Sequence, residues 1–191
     1  LIVVQPPIYS AYMVRTFIAV EPSDEIKTAL ADAGRSLLGT PARITAVQAS
    51  LMHITLKFLG EVPESQLPKI RTALSGIHAS PYQITVAGAG VFGRPPRVIK
   101  AEIEDCGATA DLARQIDTLL QPLGIPRDPK PFSPHLTIAR VREYSPALLP
   151  KITALKQQPS FGTCTIGEVL LKKSTLTPSG PIYETIGGVK L

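Results

Sequence analysis

Two hydrophobic rhythms alternate along the chain, one repeating every second residue and one every three or four, and the switches between them mark its elements. Residues 15–20 form a short β-type run. Pro22-Ser23-Asp24-Glu25 then supplies a helix start, with Ser23 as cap and two acids in the first turn. Ile26, Leu30, Ala33 and Leu37 keep helical spacing to Leu38, where Gly39 and Pro41 stop the element. Residues 44–47 and 52–59 read as strands. The next helix carries Leu67, Ile70, Leu74 and Ile77 on one stripe, with Pro68 near its first turn.

The second half repeats this vocabulary. Strands are predicted over 83–91 and 98–104, and a helix over 110–123 holds Leu112, Ile116, Leu119 and Leu123. Residues 124–134 contain Pro126, Pro129, Pro131 and Pro134, which deny this loop regular structure and stiffen its approach to a strand over 135–141. A short helix and further strands follow, the last two over 168–176 and 182–186, flanking the turn Thr177-Pro178-Ser179-Gly180-Pro181. No low-complexity linker separates the halves, so residues 13–191 are expected to form one α+β domain. Residues 1–12 are read as an N-terminal extension outside the functional argument. Their apolar run is interrupted by Pro6 and Pro7 and lacks the basic start and cleavage site of a secretory signal.

An internal echo points to chemistry. His53-Ile54-Thr55-Leu56 returns as His135-Leu136-Thr137-Ile138, each time after an irregular segment and inside a strand-like run, as two pseudo-symmetric lobes would produce. Strand alternation puts His53, Thr55 and Lys57 on one face and Ile54, Leu56 and Phe58 in the core. It likewise groups His135 with Thr137 and sets Leu136 and Ile138 opposite. On a regular strand Arg140 falls on the face away from His135, so phosphate contact there requires a twist or bulge.

Opening a cyclic phosphate needs a base for water, an acid for the departing ribose oxygen, and donors for the phosphoryl oxygens. Two histidines and two threonines supply that set. A reference pKa of about 6.5 lets one imidazole be neutral while the other is protonated near neutral pH. Zinc would need three or four converging ligands. The third histidine, His78, follows Ser75-Gly76-Ile77 with no Cys, Asp or Glu at ligand spacing and reads as a helix-end or loop residue. No metal and no cofactor are expected. A single His-x-Thr is commonly an ordinary hydrogen-bonded pair on a strand, and duplication could preserve two of them as an inactive relic.

Composition narrows the class. Hydrophobic residues make up 44% and charged residues 18%, and no stretch approaches the roughly 18 apolar residues of a membrane helix, so a soluble, cytoplasmic protein without membrane contact is expected. Twenty Lys and Arg against fifteen Asp and Glu give +5, which favours an anionic partner without identifying it. Arg94, Arg97 and Lys100 either rim an RNA site or are solvated surface. Phe132 either stacks on a terminal base or packs inward. Cys106 and Cys164 lie far apart in no metal or redox spacing and read as buried hydrophobes. No G-x-x-x-x-G-K-[ST] loop is present, which disfavours ATP-driven joining.

Around these residues the chain resembles the 2H phosphoesterase superfamily, and within it the RNA 2′,3′-cyclic phosphodiesterases historically called 2′-5′ RNA ligases. The resemblance runs from Met13 nearly to the end. It rests on RTFIAVE from Arg15, HITLKFLGEV from His53, PFSPHLTIARV from Pro131 and STLTPSGPIY from Ser174. It implies a bilobal fold of duplicated antiparallel lobes, helices outside and an active-site cleft between them. It also implies His53 as proton donor, His135 as proton acceptor, and Thr55 and Thr137 as phosphate ligands. The implied reaction opens the cyclic end of RNA to a 2′-phosphomonoester. Cofactor-free 2′-5′ joining and a monomeric state are separate expectations. One departure bears on RNA docking. Ile44-Thr45-Ala46-Val47 and Lys100 stand where the family often carries aromatics. Two rivals remain, a phosphodiesterase of small cyclic nucleotides and a non-catalytic RNA-binding module.

Overall fold

Two antiparallel sheets organise residues 12–191, the part of the chain that the computed structural model describes. Apart from Tyr12, the expected extension over residues 1–12 lies outside the described residues. In chain order the elements are β1 (Met13–Val20), α1 (Asp24–Ser36), β2 (Arg43–Ala46), β3 (Ile54–Pro63), α2 (Leu67–Leu74), β4 (Tyr82–Phe92) and β5 (Val98–Glu104). There follow α3 (Ala108–Leu120), β6 (His135–Glu143), α4 (Leu149–Lys156), β7 (Ser160–Ile166), β8 (Glu168–Thr177) and β9 (Gly180–Lys190). The first sheet runs β3-β1-β8-β9 and the second β2-β6-β5-β4-β7.

Most of the expected stripes bury: Ile26, Leu30 and Ala33 of α1, Leu67, Ile70 and Leu74 of α2, and Leu112 and Ile116 of α3 enter one apolar core. The last turn of α3 departs from its expected stripe, because Leu120 is buried there while Leu119 and Leu123 are half-buried. Ile77 lies beyond the end of α2, and Pro122 accompanies a change to a 3₁₀ turn after α3. Ser23 holds the cap position of α1 without a side-chain cap bond; its carbonyl receives the Lys27 amide at 3.0 Å instead. Neither cysteine is a buried hydrophobe, since Cys106 is exposed in a turn and Cys164 is half-buried.

The lobes are not the two halves of the chain. Helix α1 follows β1 of the first sheet yet packs on β6 and β7 of the second. Helix α3 follows β5 of the second sheet yet packs on β3 of the first. This exchange of helices ties the sheets into one body, with the two motif strands β3 and β6 in mutual contact.

Bulges decide which side chains face which way. Ala19 pairs with Thr55 and Ile18 with Lys57, which leaves Leu56 as an extra residue in β3. Leu56 and Lys57 consequently both turn to the helix-covered side, 3% and 2% exposed, and Phe58 emerges 67% exposed on the opposite side, in register with Phe17. The regular alternation read from the sequence is therefore corrected at both positions: Lys57 leaves the face of His53, and Phe58 leaves the core. A second irregularity at Leu59 is followed by Gly60 at φ +72°, a conformation that side chains disfavour.

Lys57 becomes a strut between the motif strands. Its Nζ donates to Asp117 Oδ1 of α3 at 2.5 Å and to the Pro126 carbonyl at 2.8 Å, in the loop that leads to His135. Removing Asp117 strands an ammonium whose side chain is 2% exposed, whereas removing the ammonium leaves a carboxylate that is 22% exposed and in reach of water. Asp117→Ala is expected to lower stability by about 3 kcal/mol and Lys57→Met by about 1 kcal/mol, measured by urea denaturation. Equal losses, or a larger loss in Lys57→Met, would contradict the strut.

Candidate active site

Each histidine sits on the same local device. His53 precedes β3 and its Nδ1 lies 2.8 Å from the carbonyl oxygen of Leu51; His135 begins β6 and its Nδ1 lies 2.8 Å from the carbonyl oxygen of Ser133. A carbonyl only accepts, so in both rings Nδ1 carries the hydrogen, and in the neutral form Nε2 is left as a proton acceptor. Thr55 and Thr137 follow two residues later, half-buried like the imidazoles. The repeated motif is thus a repeated geometry.

Around His53 the wall is aromatic. Its ring centroid is 4.7 Å from that of Phe17 and 5.2 Å from that of Tyr183, while Phe17 lies 6.2 Å from Phe58. Burial in this cradle lowers the His53 pKa to about 4. The Leu51 bond opposes that shift, and the charges of Lys172 and of His135 reinforce it. Lys172, in register with Phe17 and only 7% exposed, pairs with Glu21, which also takes Lys27 at 2.5 Å. Burial works against the Glu21 carboxylate, yet the two lysines hold its pKa below the usual value.

Around His135 the wall mixes charge with one aromatic. The Phe92 ring meets the imidazole edge-on at 5.0 Å, and Lys100 Nζ lies 4.4 Å over the Phe92 ring. Lys100 pairs with Glu102 at 2.6 Å. Burial again pushes the histidine pKa down, with Lys100 and Arg140 adding and the Ser133 bond and Glu102 opposing. Both imidazoles are therefore shifted toward the neutral form in the free protein, with the His53 pKa at about 4.

Arg140 reaches the cleft face through a bulge. Lys100 pairs with Thr137 and Ile99 with Ala139, so Ile138 is the extra residue, and Ile138 and Ala139 both point inward at 0% exposure. Arg140 then shares the exposed side with Thr137, in register with Val98 and Thr45. Other expected residues lie elsewhere. Phe132 is half-buried against the core. Arg94 and Arg97 are exposed, but Lys100 is 6% exposed and does not belong to a solvated rim. His78 is exposed in the loop after α2. Among the described residues no group of three or more His, Cys, Asp or Glu is placed to hold a metal ion.

Sequence reading assigned no part to Phe17, Phe92, Tyr183, Glu21, Glu102 or Lys172. Phe17 and Tyr183 could have been flagged as strand aromatics beside polar neighbours. The lysine–glutamate pairs could not, because Glu21 and Lys172 lie 151 positions apart and meet only through the pairing of β1 with β8.

The sequence pattern of the LigT like Phosphoesterase family matches residues 20–100 and again 104–183, so each match contains one His-x-Thr. An RNA 2′,3′-cyclic phosphodiesterase of Archaeoglobus fulgidus is 36% identical over 174 residues, covering 90% of this chain and 97% of that protein. The protein of that description from Methanothermobacter thermautotrophicus is 34% identical, covering 89% of this chain and 95% of its own length. A solved structure from Thermus thermophilus aligns with a TM-score of 0.77 at 29% identity, covering 93% of this chain and 97% of that one. E. coli LigT complexed with 3′-AMP shares the fold, with a TM-score of 0.75 at 22% identity over 94% of this chain and 99% of that one. Matched over most of its length, with one His-x-Thr in each matching segment, the chain belongs to the LigT like Phosphoesterase family.

Proposed function

We propose that the chain hydrolyses 2′,3′-cyclic phosphate ends of RNA to 2′-phosphomonoesters by acid–base catalysis between its two histidines. The observation that carries this reading is the paired device: two imidazoles, each tied through Nδ1 to the carbonyl two residues behind it and each followed two residues later by a strand Thr. The names of the A. fulgidus and M. thermautotrophicus relatives support the substrate.

His135 takes a proton from water as its oxygen attacks phosphorus, and His53 gives a proton to O3′ as the P–O3′ bond breaks. The product keeps phosphate on O2′ and gains a 3′ hydroxyl. Thr55 and Thr137 donate to the non-bridging oxygens, and the Arg140 guanidinium faces the charge that grows there. When the 5′ hydroxyl of a second RNA takes the place of water, its oxygen bonds to phosphorus as P–O3′ breaks, and the two ends are joined by a 2′-5′ linkage. Two imidazoles exchange the protons, and two hydroxyls and a guanidinium face the phosphoryl oxygens, so the step as proposed calls on no metal. In this reading the protein is a cytoplasmic monomer; among the described residues no helix is long and apolar enough to cross a membrane.

The wild-type chain should convert a cyclic-ended oligonucleotide to the 2′-phosphate, resolved from the 3′ isomer by phosphorus NMR. His53→Ala and His135→Ala should each lower turnover by roughly 10²- to 10⁴-fold, and Thr55→Ala or Thr137→Ala by about tenfold. Near-wild-type turnover in either folded histidine variant would sink the mechanism.

The pH profile follows from the direction of the shifts. The productive free enzyme holds one proton between two imidazoles whose pKa values both lie below 6.5, at about 4 for His53. The maximum of kcat/KM should therefore lie below pH 6.5 and fall about tenfold per unit at higher pH. The alkaline limb of kcat should lie higher, because the bound anion stabilises an imidazolium. A kcat/KM still rising at pH 8 would contradict the depressed histidines.

A further inference from the structure

Lys100 is a cleft cation with an unusual setting. Lysine is rarely buried, and withdrawing its ammonium from water costs several kcal/mol unless a partner compensates. Here the compensation is the Glu102 carboxylate at 2.6 Å and the face of Phe92. The two partners differ in their access to water: the Lys100 side chain is 8% exposed and that of Glu102 47%. The carboxylate can swing into solvent at little cost, and the ammonium cannot.

Strand register gives the pair its neighbours. On β5, Lys100 stands opposite Thr137 and Glu102 opposite His135, so each member lies beside one half of the second motif. On the other flank Lys100 stands opposite Gly90 of β4. A Cβ at Gly90 would collide with Glu102 Oε1 and come within 3.2 Å of Lys100 Cε. The absence of a side chain there gives the pair its room, as expected where a strand yields to a close approach.

We propose that Lys100 is a phosphate-binding residue of the His135–Thr137 half-site, held in place by Glu102, whose carboxylate gives way to a phosphoryl oxygen of the bound ligand. A phosphoryl oxygen seated on Thr137 finds an ammonium on the adjoining strand, already desolvated and needing only an exchange of anions. Arg140, exposed farther along β6, then contacts the charge from a second direction. The proposal rests on the phosphodiesterase reading and adds a cation to it.

The test is binding of adenosine 2′-monophosphate to the full chain by calorimetry, beside turnover of a cyclic-ended oligonucleotide. Lys100→Met should weaken binding about tenfold or more, the usual scale for a hydrogen bond to a charged group. Glu102→Gln should bind as tightly as wild type or more tightly, and Gly90→Ala, which displaces the carboxylate, should follow Glu102→Gln. Opposite behaviour of two partners in one ion pair is a result that a purely structural pair does not give. Equal losses in Lys100→Met and Glu102→Gln, or no loss in Lys100→Met with the fold intact by thermal melting, would overturn the proposal. Wild-type chain that leaves the cyclic end closed would instead overturn the phosphodiesterase reading itself.

Discussion

A backbone carbonyl two residues behind each imidazole decides which ring nitrogen is available for chemistry. Leu51 and Ser133 accept from Nδ1 of His53 and His135, and every other feature of the cleft acts on rings already oriented in that way. The bond places the hydrogen, and the surrounding wall then sets how readily the other nitrogen takes a proton. The walls are unlike. His53 lies among Phe17 and Tyr183, and His135 lies beside Phe92 with the Lys100–Glu102 pair. Duplication supplies two equivalent rings, and the different surroundings allow them different duties.

Strand irregularity is the second constraint. A regular β3 would have pointed Lys57 at the substrate and buried Phe58, and a regular β6 would have hidden Arg140 beneath the sheet. One inserted residue in each strand, Leu56 and Ile138, moves the following side chains to the other face. The same insertion that withdraws Lys57 from the cleft lets it reach α3 and the carbonyl of Pro126, so that the strand after His53 is braced against the loop before His135. Packing and chemistry are thus linked through a single extra residue.

What the sequence made legible is what depends on local periodicity. The stripes of α1, α2 and α3 appear in the apolar spacing, the prolines of residues 124–134 announce a loop, and the His-x-Thr echo identifies both motif strands. What escaped depends on pairing between distant strands. An inserted residue leaves no mark in an alternating pattern, so the faces of Lys57, Phe58 and Arg140 could not be read. Lys100 reads as one more exposed base until β4 and β6 stand on either side of it with Gly90 and Thr137. The exchange of α1 and α3 between sheets was invisible for the same reason, because helix periodicity shows that a face is buried and not against what.

Nitrogen-15 NMR of the imidazoles bears most directly on the central claim, that two rings are held alike through Nδ1 and share one proton when phosphate is bound. In the free protein at pH 7.5 both should show the neutral tautomer with hydrogen on Nδ1, and saturation with adenosine 2′-monophosphate should convert one ring to imidazolium. A ring with its hydrogen on Nε2, or two rings that stay neutral when the phosphate is bound, would contradict the account.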